Sequence, residues 1–175
     1  MNKREVAEGC GKFIGGEWRV KNLQCLTEFM EALGLSTGDV AKAVGLGRNA
    51  VTRWLTVDDT YLSKVVKVAE AYGYDFQIAY EVKTPVVMNS GRTSLVIDTP
   101  AGVQGAVSGR RLDFVRRAMK ASDLTVNELA AKMSLTRNSV QLWFRNDDIT
   151  FRYIYQIADT FDWNVNIRFC LVDRN

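Results

Sequence analysis

The chain has 175 residues, 47% of them hydrophobic and 25% charged, with a formal net charge of +3. These are ordinary globular proportions for one large domain or two small ones, and they exclude a chain too polar to bury a core. There is no histidine, and the three cysteines (Cys10, Cys25 and Cys170) are irregularly spaced, so neither a Cys/His zinc site nor a His-based nucleophile–base pair can be built.

No enzymatic activity, metal or cofactor is therefore expected, and the cysteines read as free thiols. No apolar run approaches the roughly 20 residues of a membrane-spanning helix. The opening MNKREVAEGC has no apolar core of the kind a secretory signal needs, so the expectation is a soluble, cytoplasmic protein without a membrane partner. The positive charge is uneven: residues 1–22 and 84–111 each carry a net +2, residues 23–83 carry −2 and residues 112–175 carry +1. This is a mild hint of a polyanionic partner.

Residues 1–22 read as an N-terminal arm. Within it, Lys12–Ile14 and Glu17–Val20 flank Gly15-Gly16, a two-residue hairpin signal. Residues 23–83 then align without a gap to residues 112–172 at a fixed offset of 89, with about a dozen identities, among them Leu23/Leu112, Met30/Met119, Ala41/Ala130, Val51/Val140 and Trp54/Trp143. Two copies of one fold unit are the expectation. In each copy apolar residues at helical spacing predict a first helix over 23–33 (112–121) and a second over 37–44 (126–133). The second helix opens with a capping box, Ser36…Asp39 or Thr125…Glu128. A three-residue break follows, Gly45-Leu46-Gly47 or Ser134-Leu135-Thr136, and then a third helix over 48–55 (137–144) that turns Val51 and Trp54, or Val140 and Trp143, into the core. The pairs Asp58-Asp59 and Asp147-Asp148 are expected to cap a fourth helix over 60–72 (149–161).

Each copy then changes period. Tyr74, Phe76, Ile78, Tyr80 and Val82 alternate with polar or small residues, as do Trp163, Val165, Ile167, Phe169 and Leu171, which predicts strands over 74–82 and 163–171. A lone strand needs a partner, and antiparallel pairing of these two is expected. Residues 86–88 and 94–97 flank Asn89–Arg92 as a further hairpin, and 99–110 read as a Gly-rich linker. The domain plan is an arm (1–22), a first unit (23–83), a hairpin and linker (84–111) and a second unit (112–175).

The segments GLSTGDVAKAVGLGRNAVTRWL and DLTVNELAAKMSLTRNSVQLWF resemble the lambda-repressor-like (Cro/repressor-type) helix-turn-helix family. The resemblance covers the four helices of each copy. It implies a mainly α fold with a small antiparallel sheet, in which tandem duplicated helix-turn-helix units, each followed by a strand, form an intramolecular pseudo-dimer. It implies double-stranded DNA as partner, transcriptional regulation as role and the nucleoid as location, with a further homodimer of whole chains left open. The third helix would lie in the major groove. Its base-reading positions would be Arg48, Asn49, Thr52 and Arg53 in the first copy, and Arg137, Asn138 and Gln141, beside Leu142, in the second. Phosphate contacts would come from Ser36, Thr37 and Lys42, and from Thr125, Lys132 and Arg145.

Other motifs are weaker. Gly45–Ala50 imitates a dinucleotide fingerprint but follows a helix, and Gly9–Lys12 lacks the spacing of a phosphate loop. Arg110-Arg111 and Arg116-Arg117 read equally as phosphate contacts or as solvated charge. Two other functions compete: a protein-interaction module whose helix-turn-helix units do not touch DNA, and a DNA-architectural or recombination accessory factor. The Asp pairs and Leu142 favour the first of these.

Overall fold

The computed structural model describes residues 21–87, 93–98 and 110–172. The hairpin expected at 12–20, Cys10, the turn at 89–92 and residues 99–109 of the linker lie outside them. Among the described residues the chain is mainly helical with a small antiparallel sheet. Four helices come first: α1 (Gln24–Leu33), α2 (Thr37–Val44), α3 (Arg48–Val57) and α4 (Leu62–Ala71). The strands β1 (Tyr74–Val87) and β2 (Thr93–Asp98) follow, then α5 (Asp113–Ala121), α6 (Val126–Lys132), α7 (Arg137–Asn146), α8 (Phe151–Phe161) and β3 (Asn164–Leu171).

The helix starts and stops follow local chemistry. Ser36 and Thr125 accept hydrogen bonds from the amides of Asp39 and Glu128, whose carboxylates reach back to complete both capping boxes. The turns into α3 and α7 need left-handed backbone: Gly45 has φ 70° and Ser134 has φ 55°. In each case the next amide closes the turn, Leu46 N on Ala41 O and Leu135 N on Ala130 O, both at 2.8 Å. The third helices run two residues further than the pattern predicts, to Val57 and Asn146, and end on Asp58 and Asp147, both left-handed.

The two expected strands do pair. β1 and β3 are antiparallel with Ile78 opposite Ile167, Tyr74 opposite Leu171 and Tyr80 opposite Val165. Residues 89 apart therefore face each other at the centre of the ribbon. β1 continues beyond residue 82 to pair with β2, Val82 opposite Asp98 through Val87 opposite Thr93, giving the order β2-β1-β3. Because β3 lines β1 only through Glu81, Pro85 falls where the ladder runs on one side alone, a place a proline tolerates.

The ribbon joins one continuous core, because each strand ends against the helices that the other follows. Tyr80 of β1 packs on Phe114 of α5, with ring centroids 5.0 Å apart, and donates its buried hydroxyl to Ile154 O of α8 at 2.7 Å. Phe169 of β3, at the position 89 residues on, stacks on Phe29 of α1 at 4.2 Å. Trp54 and Trp143 depart from expectation: they are only half-buried against this core, and Trp143 rests on Tyr153.

A second junction joins the halves, and it corrects the expectation for the aspartate pairs. Tyr61 and Thr150 form an antiparallel bridge, Leu62 N donating to Ile149 O and Phe151 N to Thr60 O. The first aspartate of each pair holds the start of the first helix of its own half. Asp58 accepts from Asn22 N at 2.7 Å and Leu23 N at 2.9 Å, and Asp147 accepts from Arg111 N at 2.7 Å and Leu112 N at 3.1 Å. The second aspartate crosses over. Asp59 accepts from Arg152 N at the start of α8, and Asp148 accepts from Ser63 N and Oγ at the start of α4. Neither caps the helix that follows it in sequence. With Asp59 on the Arg152 amide, Thr150 at the N-cap of α8 caps nothing, and its buried Oγ1 has no hydrogen-bond partner among the described residues.

The exchange predicts an inverted result. Thr150→Val should leave stability unchanged or raise it, because it removes a buried hydroxyl that bonds nothing. Asp148→Ala, which strips a cap from a helix in the other half, should cost about 1–2 kcal/mol. Urea unfolding of the two variants measures both; a costly Thr150→Val beside a neutral Asp148→Ala would reverse the assignment.

Candidate nucleic-acid interface

α3 and α7 each bury one valine, Val51 or Val140, with a half-buried tryptophan three residues on, and turn the opposite face to solvent. On α3 that face carries Arg48, Asn49, Thr52 and Arg53, all exposed. On α7 it carries Arg137, Asn138, Gln141 and Leu142, also exposed, with Arg145 one turn further. The helices start on different caps. Gly47 supplies no side chain, whereas Thr136 accepts from Ser139 N at 3.2 Å and shares a hydrogen bond with Ser139 Oγ at 2.9 Å. Asn49 and Asn138 therefore do not cap the helices; they sit at the second helical position with their amide groups outward.

Some expected contacts are drawn together and others are not. Arg48 Nε donates to Thr37 Oγ1 at 3.3 Å, joining the first turns of α2 and α3. Thr52 Oγ1 donates to Arg48 O, which leaves its methyl as the other branch of the side chain. Ser36, Thr125, Lys42, Lys132 and Arg145 are exposed and Thr37 is half-buried. Lys42 and Lys132 sit in the last turns of α2 and α6, and Arg145 in the last turn of α7; after Ser36, Lys42 is close enough to Asp39 to help lower its pKa. The starts of α2 and α6 already hold a negative group. The Ser36 hydroxyl and amide lower the Asp39 pKa, and the Thr125 amide and hydroxyl lower that of Glu128, so both carboxylates are charged at neutral pH. A phosphate there meets only the amides that the boxes leave free.

Sequence reasoning missed two features. Ser139 and Leu142 line an open concavity of about 430 Å³ on α7 together with Asn138, Gln141 and Arg145. The basic pairs at 110–111 and 116–117 are partly internal braces. Arg111 Nε donates to Asp147 O, and Arg116 lies over the Phe144 ring at 4.8 Å while pairing with Asp113 and Asp147. The aspartates of this loop are thus turned onto amides and arginines.

No group of three or more acidic, histidine or cysteine side chains that could hold a metal occurs among the described residues, where Cys25 is buried and Cys170 half-buried. No described helix is long and apolar enough to cross a membrane. No protein-family model, curated protein or solved structure matches this chain.

The capping boxes set an acid limit. Each carboxylate has a depressed folded-state pKa, so its contribution to stability is complete above the ordinary carboxylate range and is lost as pH falls through the depressed values. Thermal melts should show stability falling on that acid limb, and the double variant Asp39→Asn, Glu128→Gln should flatten it. An acid limb as steep as that of the wild type would assign the loss to other carboxylates.

Proposed function

We propose that this chain is a sequence-selective double-stranded DNA-binding protein, most simply a transcriptional regulator, that reads two major-groove segments with α3 and α7. The observation that carries the reading is the recurrence, on two helices that each bury one valine and end on a left-handed aspartate, of an exposed Arg-Asn pair, followed one turn later by Thr52 and Arg53 or by Gln141 and Leu142. Arginine matches the two acceptors of guanine and asparagine the adenine edge, each good contact giving about 1–3 kcal/mol of discrimination. The resemblance of both segments to lambda-repressor-like sequences supports the same reading.

The two halves are then tandem duplicates arranged as an intramolecular pseudo-dimer. Supporting this are the pairs of residues 89 apart that meet, Ile78 with Ile167 and Tyr61 with Thr150, and the reciprocal aspartate caps. Each reading helix ends four residues before the Tyr61–Thr150 bridge, so both leave one braced junction. The fitting target is a pair of related half-sites about 34–36 Å apart. They would be unequal, because Thr52 and Arg53 stand where the second helix has Gln141 and Leu142.

A second reading, docking to another protein, is favoured by the exposed apolar side chains Val57, Tyr61 and Leu142, each about half exposed at 50%, 53% and 49%.

A salt-titrated binding assay on mixed-sequence duplexes and on sequences selected from a random pool separates the two. Log affinity should fall linearly with log salt, the selected sequences should contain two spaced half-sites, and Arg48→Ala with Arg137→Ala should weaken binding to them at least tenfold. A folded protein that binds no duplex at low salt would favour the protein partner. Salt-dependent binding with no sequence preference would favour an architectural role.

A further inference from the structure

The faces of α3 and α7 differ most at one position. Where α3 presents the guanidinium of Arg53, α7, at the residue 89 further on, presents Leu142. Leu142 is 49% exposed, and it shares its concavity with Asn138 one turn before it, Gln141 and Ser139 beside it, and Arg145 one turn after it. Among the described residues that line it, Leu142 is the aliphatic one. On a helix that reads the major groove, an exposed aliphatic side chain flanked by Asn138, Gln141 and Arg145 is matched by a small apolar knob beside acceptors and donors. The major-groove edge of DNA has one such knob, the C5-methyl of a pyrimidine, flanked by base acceptors and phosphates.

We propose that Leu142 is a specificity-determining residue that reads a pyrimidine C5-methyl, from thymine or 5-methylcytosine, in the half-site bound by α7. Asn138 and Gln141 hydrogen-bond the neighbouring base edges and Arg145 the phosphate. The inference rests on the DNA-binding reading and extends it. The contact made by Leu142 has no counterpart in the α3 half-site, where Arg53 is suited to guanine or phosphate. One half of the target therefore responds to the methyl through this position and the other does not.

The test starts from duplexes selected out of a random pool by the full-length protein. Each thymine is replaced in turn by uracil, which removes only the methyl. Binding is compared for wild type, Leu142→Ala and Leu142→Arg, the last copying the residue of α3. Because Leu142 lies at the surface, melts of both variants should match the wild type. Wild type should lose about fourfold in affinity at one thymine of one half-site, the size expected for one methyl withdrawn from apolar contact. Leu142→Ala should bind the thymine and uracil duplexes equally, and Leu142→Arg should move the preference at that position toward guanine. Placing cytosine and 5-methylcytosine at the same position distinguishes the sources. A matching gain from the added methyl shows that the methyl itself is read, and a gain for thymine alone restricts the contact to thymine. Wild-type binding indifferent to every thymine methyl, or a methyl effect that survives Leu142→Ala, overturns the inference while leaving DNA binding in place. Failure to bind any duplex removes the DNA reading and this inference together.

Discussion

A β-strand cannot satisfy its own ladder, and that constraint organises the chain. β1 leaves the first four helices with its amides and carbonyls open, and the strand that closes them, β3, comes from the other end of the sequence. Once they pair, the second four helices have to lie beside the first. The ribbon centres on Ile78 and Ile167, and its two ends carry Tyr80 and Phe169 into opposite sets of helices. Helices that would otherwise each close over a small core share one. That sharing suits the size of the parts, since a unit of some 60 residues alone buries a modest fraction of its surface.

The junction around Tyr61 and Thr150 adds direction to this joint. A sheet ribbon by itself allows twist and some hinge motion, whereas helix ends held by carboxylates from the opposite half resist rotation about the ribbon. Asp59 and Asp148 follow α3 and α7 by two residues, and Asp58 and Asp147 are the C-caps of those helices. The same short loops thus end a solvent-facing helix, start the first helix of their own half and cap the fourth helix of the other. Positioning of α3 and α7 is accordingly coupled to the packing between halves as well as within them. The arginines at 111 and 116, spent on Asp147 and Phe144, serve that bracing rather than the outer surface.

Much of this was legible in the sequence, and the unread parts share a cause. Period 3.6 in the helices, period two at Tyr74–Val82 and Trp163–Leu171, and the capping boxes at Ser36 and Thr125 are local signals, and the elements formed where they point. The pairing of β1 with β3 followed from the matching period-two patterns over 74–82 and 163–171, each of which needs a partner. What local pattern could not give was the recipient of each aspartate. Asp-Asp before a helix reads as a cap for that helix, yet Asp59 reaches an amide 93 residues away and Asp148 one 85 residues away. The hint lay in the residues at the following N-caps: Tyr61 and Thr150 differ while both aspartate pairs persist. Trp54 and Trp143 were over-read as core because helical spacing gives the side of the helix and says little about depth. At the candidate interface, the exposed residues of the third helices could be assigned by subtraction from the buried valine, whereas the concavity around Leu142 depends on side-chain shape and was not visible.

The joining of β1 to β3 within one chain also changes the response to dilution. Two separate chains that meet through their strands fall apart as concentration drops below their dissociation constant, and any surface that needs both is lost with the square of concentration. Here the partner strand is tethered, and its effective concentration is fixed by the chain between the strands rather than by the number of molecules present. The pair of outward helices is therefore complete in every folded molecule, at any protein concentration.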